Sequence, residues 1–145
     1  MNFDSLPWAI AEGFFEQKPV IFRFRQFEAD FPRSSYPQRL HILWSFRSPS
    51  EEGLPSNSDS EEANQFEDRL IEAVELDNHS ILSLVITGHE QREYSFHTSD
   101  PQGFIQRLSG MPQEEDRYPI TIQCFSDSDW EYVHEVLSGI KPNTA

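Results

Sequence analysis

From Ser58 to Leu76 the chain reads SDSEEANQFEDRLIEAVEL, and this stretch predicts the central helix of the fold. Ser58 and Glu61 stand at capping-box spacing, in which a hydroxyl and a carboxylate satisfy backbone N–H groups at the start of a helix. Apolar residues recur with the period of a helix and form one stripe. That stripe consists of Ala63, Phe66, Leu70, Ala73 and Val74. We therefore predict an amphipathic helix whose apolar stripe packs against the rest of the chain.

The remaining surface of this predicted helix is acidic. Its carboxylates are Glu62, Glu67, Asp68, Glu72 and Glu75. Arg69 is the only cation among residues 59–76, so the carboxylates repel one another with little neutralisation along the helix. Because exposed charge of one sign steers towards charge of the other, we predict that these five carboxylates bind a basic protein.

Composition predicts a soluble globular protein. The 145 residues are 37% hydrophobic and 13% aromatic, which is enough for one domain with its own core. We therefore predict a single domain over residues 1–145. No apolar run reaches the ~18 residues of a membrane span, and the first residues do not resemble a signal peptide. Cys124 is the only cysteine, and we expect it to lie on a buried strand of a cytoplasmic protein.

Charge is distributed unevenly along the chain. The formal net charge is −14, and the carboxylates responsible for it follow residue 50. Such a field repels nucleic acid and anionic membranes, and it attracts basic surfaces. It also confers solubility, and a passive structural domain remains an alternative on this ground.

The N-terminal segment predicts a β-hairpin. Alternating apolar residues come before and after the polar turn at residues 16–19. In the second strand Phe22 and Phe24 lie on one face, while Arg23 and Arg25 lie on the other. We expect the face with the two arginines to be exposed to water.

The rest of the chain alternates between strands and helices. From Arg39 onward the predicted order is strand, helix, strand, strand, helix, strand, and Asp127 or Asp129 caps a final helix. This order predicts an α+β fold, a ferredoxin-like split βαβ sandwich with its helices on one sheet face. Residues 1–36 add a hairpin extension and a loop, residues 37–126 form the ferredoxin-like core, and residues 127–141 contain the C-terminal helix.

Two local features refine this prediction. Asp100 and Pro101 are typical of an N-cap followed by the first helical position. We expect the core to contain the following residues: Trp44, Phe66, Leu70, Ile86, Phe96, Phe104 and Ile122.

Short motifs in a particular order give the chain a family resemblance. Trp8 precedes the hairpin, and Tyr36-Pro37 precedes a strand that contains Trp44. Further along come Gly53-Leu54-Pro55, Phe66-Glu67-Asp68-Arg69-Leu70, Thr87-Gly88, Arg92-Glu93-Tyr94-Ser95-Phe96 and Asp127-Ser128-Asp129-Trp130-Glu131-Tyr132. Together they resemble the bacterial family known as domain of unknown function 695. His97 stands where the family pattern has tyrosine. The family is distantly similar to the regulator of ribonuclease E activity type B, which implies a similar sandwich and an inhibitory role.

Motifs for catalysis or cofactor binding are missing from the sequence. The five histidines show no paired spacing for a metal, and the six glycines form no phosphate-binding loop. We therefore predict no enzyme activity, no metal and no cofactor. We also predict no direct contact with nucleic acid or a membrane. The sequence leaves the oligomeric state open.

These observations favour a non-enzymatic, acidic protein-binding module. It would inhibit or regulate a basic enzyme that processes nucleic acid, because carboxylates can occupy a phosphate-binding groove. An immunity protein against an interbacterial toxin, an enzyme with an acidic pocket and a passive structural domain are the alternatives.

Overall fold

The computed structural model describes residues 3–111 and 118–140. Within these ranges lie the six strands β1 (Trp8–Phe15), β2 (Lys18–Arg25), β3 (Gln38–Ser45), β4 (Ser80–Gly88), β5 (Gln91–Thr98) and β6 (Ile120–Ser126). The helices are α1 (Asn57–Glu75), α2 (Pro101–Ser109) and α3 (Glu131–Gly139), with short 3₁₀ turns between some elements. The predicted mixture of α and β structure is confirmed. Lys141, the last residue of the predicted C-terminal segment, lies outside the described residues.

All six strands form one antiparallel sheet in the order β1-β2-β4-β5-β3-β6. The N-terminal hairpin joins this sheet because β2 pairs with β4, aligning Phe22 with Ile86. The pairing of β4 with β5 contains a bulge between Leu82 and Leu84. β1 and β6 are therefore the two edge strands.

The main hydrophobic core lies between one face of the sheet and helices α1 and α2. Alternate residues of β3, β4 and β5 point towards these helices, as the two-residue period of a strand requires. The buried residues of this core include Leu40, Ile42, Trp44, Phe66, Leu70, Leu82, Tyr94, Phe96 and Phe104. Trp44 and Phe66 pack with ring centroids 4.9 Å apart, which joins β3 to α1.

A smaller core lies on the opposite face of the sheet. Trp130, at the start of α3, stacks on His97 with ring centroids 3.7 Å apart and also packs on Phe27 and Phe31. His97 follows Phe96 on β5, so the two side chains lie on opposite faces. Helices α1 and α2 therefore cover the first face of the sheet, whereas the first turn of α3 anchors on the second face.

The starts of the helices agree in part with the predicted caps. α1 begins two residues earlier than the capping-box spacing predicts, because the N-cap is Ser56, whose hydroxyl accepts the N–H of Asp59. The carboxylate of Asp59 folds back and accepts the backbone N–H groups of Arg47 and Ser48 at 2.9 and 3.0 Å. For α2 the prediction is confirmed, since Asp100 accepts the N–H of Gly103 and Pro101 takes the first position.

Most of the predicted core residues are buried, with two exceptions. Ile86 and Ile122 are only half-buried. Cys124 is exposed, so its predicted burial is wrong. The reason is its position on β6, because an edge strand has neighbours on one side only. No helix within the described ranges is both long and apolar enough to pass through a membrane.

Candidate functional site

The solvent side of α1 carries an acidic stripe, which we define as Glu61, Glu62, Asp68 and Glu72. All four residues are exposed, and Glu62 forms an exposed ion pair with Arg47 at 3.3 Å. Glu61, Asp68 and Glu72 follow each other at intervals of seven and four residues, so they line up along one side of the helix. The capping-box spacing predicts only a capping role for Glu61. Its exposure and its spacing from Asp68 place it in the stripe.

Glu67 and Glu75, the other two predicted binding residues, do not lie in this stripe. The side chains of both are 7% exposed and turn towards β2. Glu67 pairs with Arg23 at 2.5 Å, and Glu75 pairs with Arg25 at 2.7 Å. The prediction that these two carboxylates face solvent is therefore wrong, because arginines of the sheet neutralise them in the interior.

The same pairs correct the expected orientation of β2. Arg25 is buried and Arg23 half-buried, both on the face covered by α1. Arg25 binds Glu75 through both terminal nitrogens, at 2.7 and 3.1 Å, and its guanidinium lies over the ring of Trp8. The backbone N–H of Leu82 also donates to Glu75, at 3.0 Å. Removing one member of such a buried, hydrogen-bonded ion pair strongly destabilises the fold, because the other charge stays buried without a partner.

A second arginine, Arg92 of β5, also lies close to the carboxylate of Glu67. Arg92 lies 3.8 Å from the carboxylate of Glu67 and donates to Asn64 at 2.8 Å and to Thr87 at 3.2 Å. Two guanidinium groups thus face one carboxylate between the hairpin and α1. This arrangement holds the helix against the sheet and leaves the acidic stripe on the opposite side.

A polar network on the second sheet face connects α3 to β3 and β5. Arg39 donates to Nδ1 of His41 at 2.8 Å, and Nε2 of His41 lies 3.2 Å from Glu93. The hydroxyl of Tyr132 also donates to Glu93. Arg39 further approaches Asp127 at 3.4 Å, and its guanidinium stacks over the ring of Tyr132. Asp127 accepts the N–H of Glu131 as well, which agrees with its predicted capping role.

The protonation of this network follows from its geometry. Burial lowers the pKa of His41, Glu93 raises it, and Arg39 lowers it, with a net shift downward. A neutral imidazole that accepts from Arg39 and donates to Glu93 uses both ring nitrogens. Burial and Glu93 raise the pKa of Tyr132, so its hydroxyl stays a donor. The network therefore fastens α3 to the sheet and engages both ring nitrogens of His41.

His97 is the most deeply buried ionisable group on this face. The hydroxyl of Ser83 donates to the carbonyl of Ser95 at 3.1 Å, so Nε2 of His97 must supply the proton of its 2.7 Å bond to Ser83. Nδ1 is then the bare nitrogen, and it has no hydrogen-bond partner among the described residues. A proton added there would be buried without an acceptor. Burial, helped by Arg39, accordingly lowers the pKa of His97 to about 3.

No metal centre is formed by the residues that the structure describes. Within these ranges no three His, Cys, Asp or Glu side chains come together as ligands. The predictions of no metal, no cofactor and no catalysis stay predictions.

The fold and these polar sites define an α+β protein with a six-stranded antiparallel sheet and three helices in its described part. Within that class, the chain belongs to the family of unknown function (DUF695), whose model matches residues 7–138. The predicted family resemblance is thereby confirmed. No curated protein and no solved structure matches the chain. The likeness to the regulator of ribonuclease E activity type B stays a prediction, and family membership assigns no role to any residue.

Proposed function

We propose that this chain is a non-enzymatic module that binds a basic surface of another protein through its acidic stripe. One observation carries the proposal. Arginines of the sheet neutralise the two inward carboxylates of α1, whereas Glu61, Asp68 and Glu72 stay exposed along its outer side. Unneutralised charge of one sign, aligned on a rigid helix, favours rapid association with a surface of the opposite sign.

The partner class in this proposal is an enzyme that processes nucleic acid, which the module would inhibit or regulate. With a rise of about 1.5 Å per residue, the stripe from Glu61 to Glu72 extends about 16 Å. Phosphates of one DNA strand follow each other at about 3.4 Å, so the stripe covers the length of several phosphates in a basic groove. An immunity protein against an interbacterial toxin would use the same chemistry on a different partner.

The proposal also includes the finer fold and the location. We infer a ferredoxin-like core over residues 37–126, supported by the strand order β4-β5-β3-β6 and the helices between β3 and β4 and between β5 and β6. The lone Cys124 suits a reducing compartment, so we place the module in the cytoplasm. Catalysis is left out of the proposal because His41 has both ring nitrogens engaged.

Affinity purification from native lysate would first identify the partner. The immobilised chain should retain a basic protein at low salt and release it at high salt, because exposed charge pairs are screened. Association with that partner is then measured against salt concentration. The variant Glu61→Gln, Asp68→Asn and Glu72→Gln should associate about tenfold more slowly.

A matched control removes three other exposed carboxylates from the chain. The substitutions Glu28→Gln, Asp30→Asn and Glu131→Gln change the net charge equally but lie outside α1. This control should associate almost as fast as the unmodified chain. If both triple variants associate equally fast, the acidic stripe is not the interface. If no basic partner is retained at low salt, the passive structural domain replaces the proposal.

A further inference from the structure

The edge strand β1 lacks the features with which proteins usually protect an edge. It has eight residues with no lysine and no proline, and Glu12 is its only charge. Ile10, Phe14 and Phe15 are 70%, 79% and 60% exposed. Long, apolar edge strands are templates for pairing with another strand, and most proteins interrupt them with charge or proline.

The hairpin geometry identifies which backbone groups of β1 point away from the sheet. The turn residues Glu16 and Gln17 both have positive φ, as in a type I′ turn, so Phe15 and Lys18 form a hydrogen-bonded pair. Such pairs alternate with non-hydrogen-bonded pairs along an antiparallel ladder. The bond from the N–H of Gln26 to the carbonyl of Pro7, at 2.8 Å, agrees with this alternation.

Four residues of β1 therefore direct their N–H and C=O groups to the free edge. They are Trp8, Ile10, Glu12 and Phe14. Their side chains share one face of the sheet, because they are separated by two residues. Any strand that pairs with β1 must match this alternating row of donors and acceptors.

We propose that β1 pairs antiparallel with β1 of a second copy of this chain, joining two sheets across a two-fold axis. In the register that sets Trp8 opposite Phe14 of the other copy, Ile10 lies opposite Glu12 of that copy. All four outward residues on each copy then find a partner. Shifting the register by two residues in one direction sets Glu12 opposite Glu12, and shifting it in the other leaves Phe14 unpaired.

Side chains next to the seam favour the same register. Trp8 would meet the exposed Phe14 of the other copy, and aromatic pairs across strands stabilise a sheet. Glu12 of the other copy would lie in the same cross-strand row as Ile10 and Arg23, since Ile10 pairs with Arg23 in the hairpin. On the opposite face the seam contains Ala9, Ala11 and Gly13, whose small side chains leave the approach open.

Sedimentation velocity of the full chain tests the proposal. One strand pair is a small interface, so we expect monomer at about 1 µM and dimer at about 100 µM. Because each copy carries a net charge of −14, added salt should strengthen the dimer. A chain that stays monomeric over this range at high salt would refute the pairing. This salt dependence is opposite to that of the acidic stripe with a basic partner, so the two proposals fail independently.

Two substitutions of Glu12 distinguish the contribution of its backbone N–H to dimerisation from that of its charge. Glu12→Pro removes an N–H that points to solvent in the monomer, where an edge strand tolerates proline. It should keep the circular dichroism of the unmodified chain and abolish the dimer. Glu12→Gln removes the same charge, retains the N–H and should form at least as much dimer. Equal dimerisation of the proline variant would show that another surface associates.

If the proline variant does not fold, amide hydrogen exchange of the unmodified chain tests the same pairing. In the unmodified chain the amides of Trp8, Ile10, Glu12 and Phe14 should exchange at least tenfold more slowly at about 100 µM than at about 1 µM, because pairing protects them. Amides that face the free side of the other edge strand, those of Ile122 and Cys124, provide the comparison. Unchanged exchange at β1 in a sample that dimerises would overturn the proposal.

Discussion

Acid should weaken this fold through His97. The ordinary histidine pKa is 6.5, and burial together with Arg39 lowers that of His97 to about 3. Because the folded state disfavours the charged form, the stability that depends on neutral His97 is fully present above pH 6.5. It is lost as the pH falls from 6.5 towards 3. The whole shift corresponds to about 5 kcal/mol, of which about 2 kcal/mol is lost at pH 5.

The variant His97→Phe isolates this contribution. Phenylalanine retains a ring for Trp130 to stack on but cannot take up a proton, while the bond to Ser83 is lost. At pH 7.5 we expect the variant to be about 1 kcal/mol less stable than the unmodified chain. Between pH 7.5 and pH 5 its free energy of unfolding should fall by about 2 kcal/mol less than that of the unmodified chain.

Urea unfolding at the two pH values, followed by circular dichroism, measures the difference. The matched control is His134→Gln, which replaces an exposed histidine of α3 and should keep the pH dependence of the unmodified chain. His41 is unchanged in both variants, so its own titration cancels. An equal loss of stability in His97→Phe and the unmodified chain would refute the reasoning.

Two further substitutions test the charges around α1. Glu75→Gln should lower the free energy of unfolding, measured in urea, by about 3–5 kcal/mol, because Arg25 then stays buried opposite a neutral amide. The control Glu72→Gln, at an exposed position, should change it by less than about 0.5 kcal/mol. Equal midpoints for these two variants would show that the pair contributes nothing. Burial alone would raise the pKa of Asp59. Hydrogen bonds to its carboxylate, chiefly from the backbone of the loop before α1, lower the pKa by more than burial raises it, so the net shift is downward. Asp59→Ala should therefore cost about 2 kcal/mol in thermal unfolding at pH 7, and the cost should disappear as the pH falls through the folded pKa of this carboxyl. A cost that persists in acid would contradict this account.

Periodicity within short segments predicted most of the secondary structure. Alternation located β2, β3 and β5, and the chemistry of Asp100 and Pro101 fixed the start of α2. These predictions succeed because the decisive residues are neighbours in the chain. The acidic character of α1 was equally visible, and Glu62, Asp68 and Glu72 are exposed as expected.

Long-range pairing accounts for the predictions that failed. The alternation of β2 is the same whether Arg23 and Arg25 face water or face carboxylates, and only the fold brings Glu67 and Glu75 to them. Cys124 occurs in a strand pattern that does not distinguish an edge from an interior position. The role of His97 depends on stacking with Trp130, which comes from a different element.

The position of Trp130 has a consequence for the order in which the chain folds during synthesis. Its ring packs on Phe27 and Phe31, and its indole N–H donates to the carbonyl of Tyr36 at 3.0 Å. Those partners are translated early, yet the ring that covers them is translated some hundred residues later. A growing chain that has reached only β6 therefore exposes an aromatic surface to chaperones and proteases. Synthesis of α3 closes this surface, so docking of the last helix should be the step that ends the vulnerability of the nascent chain.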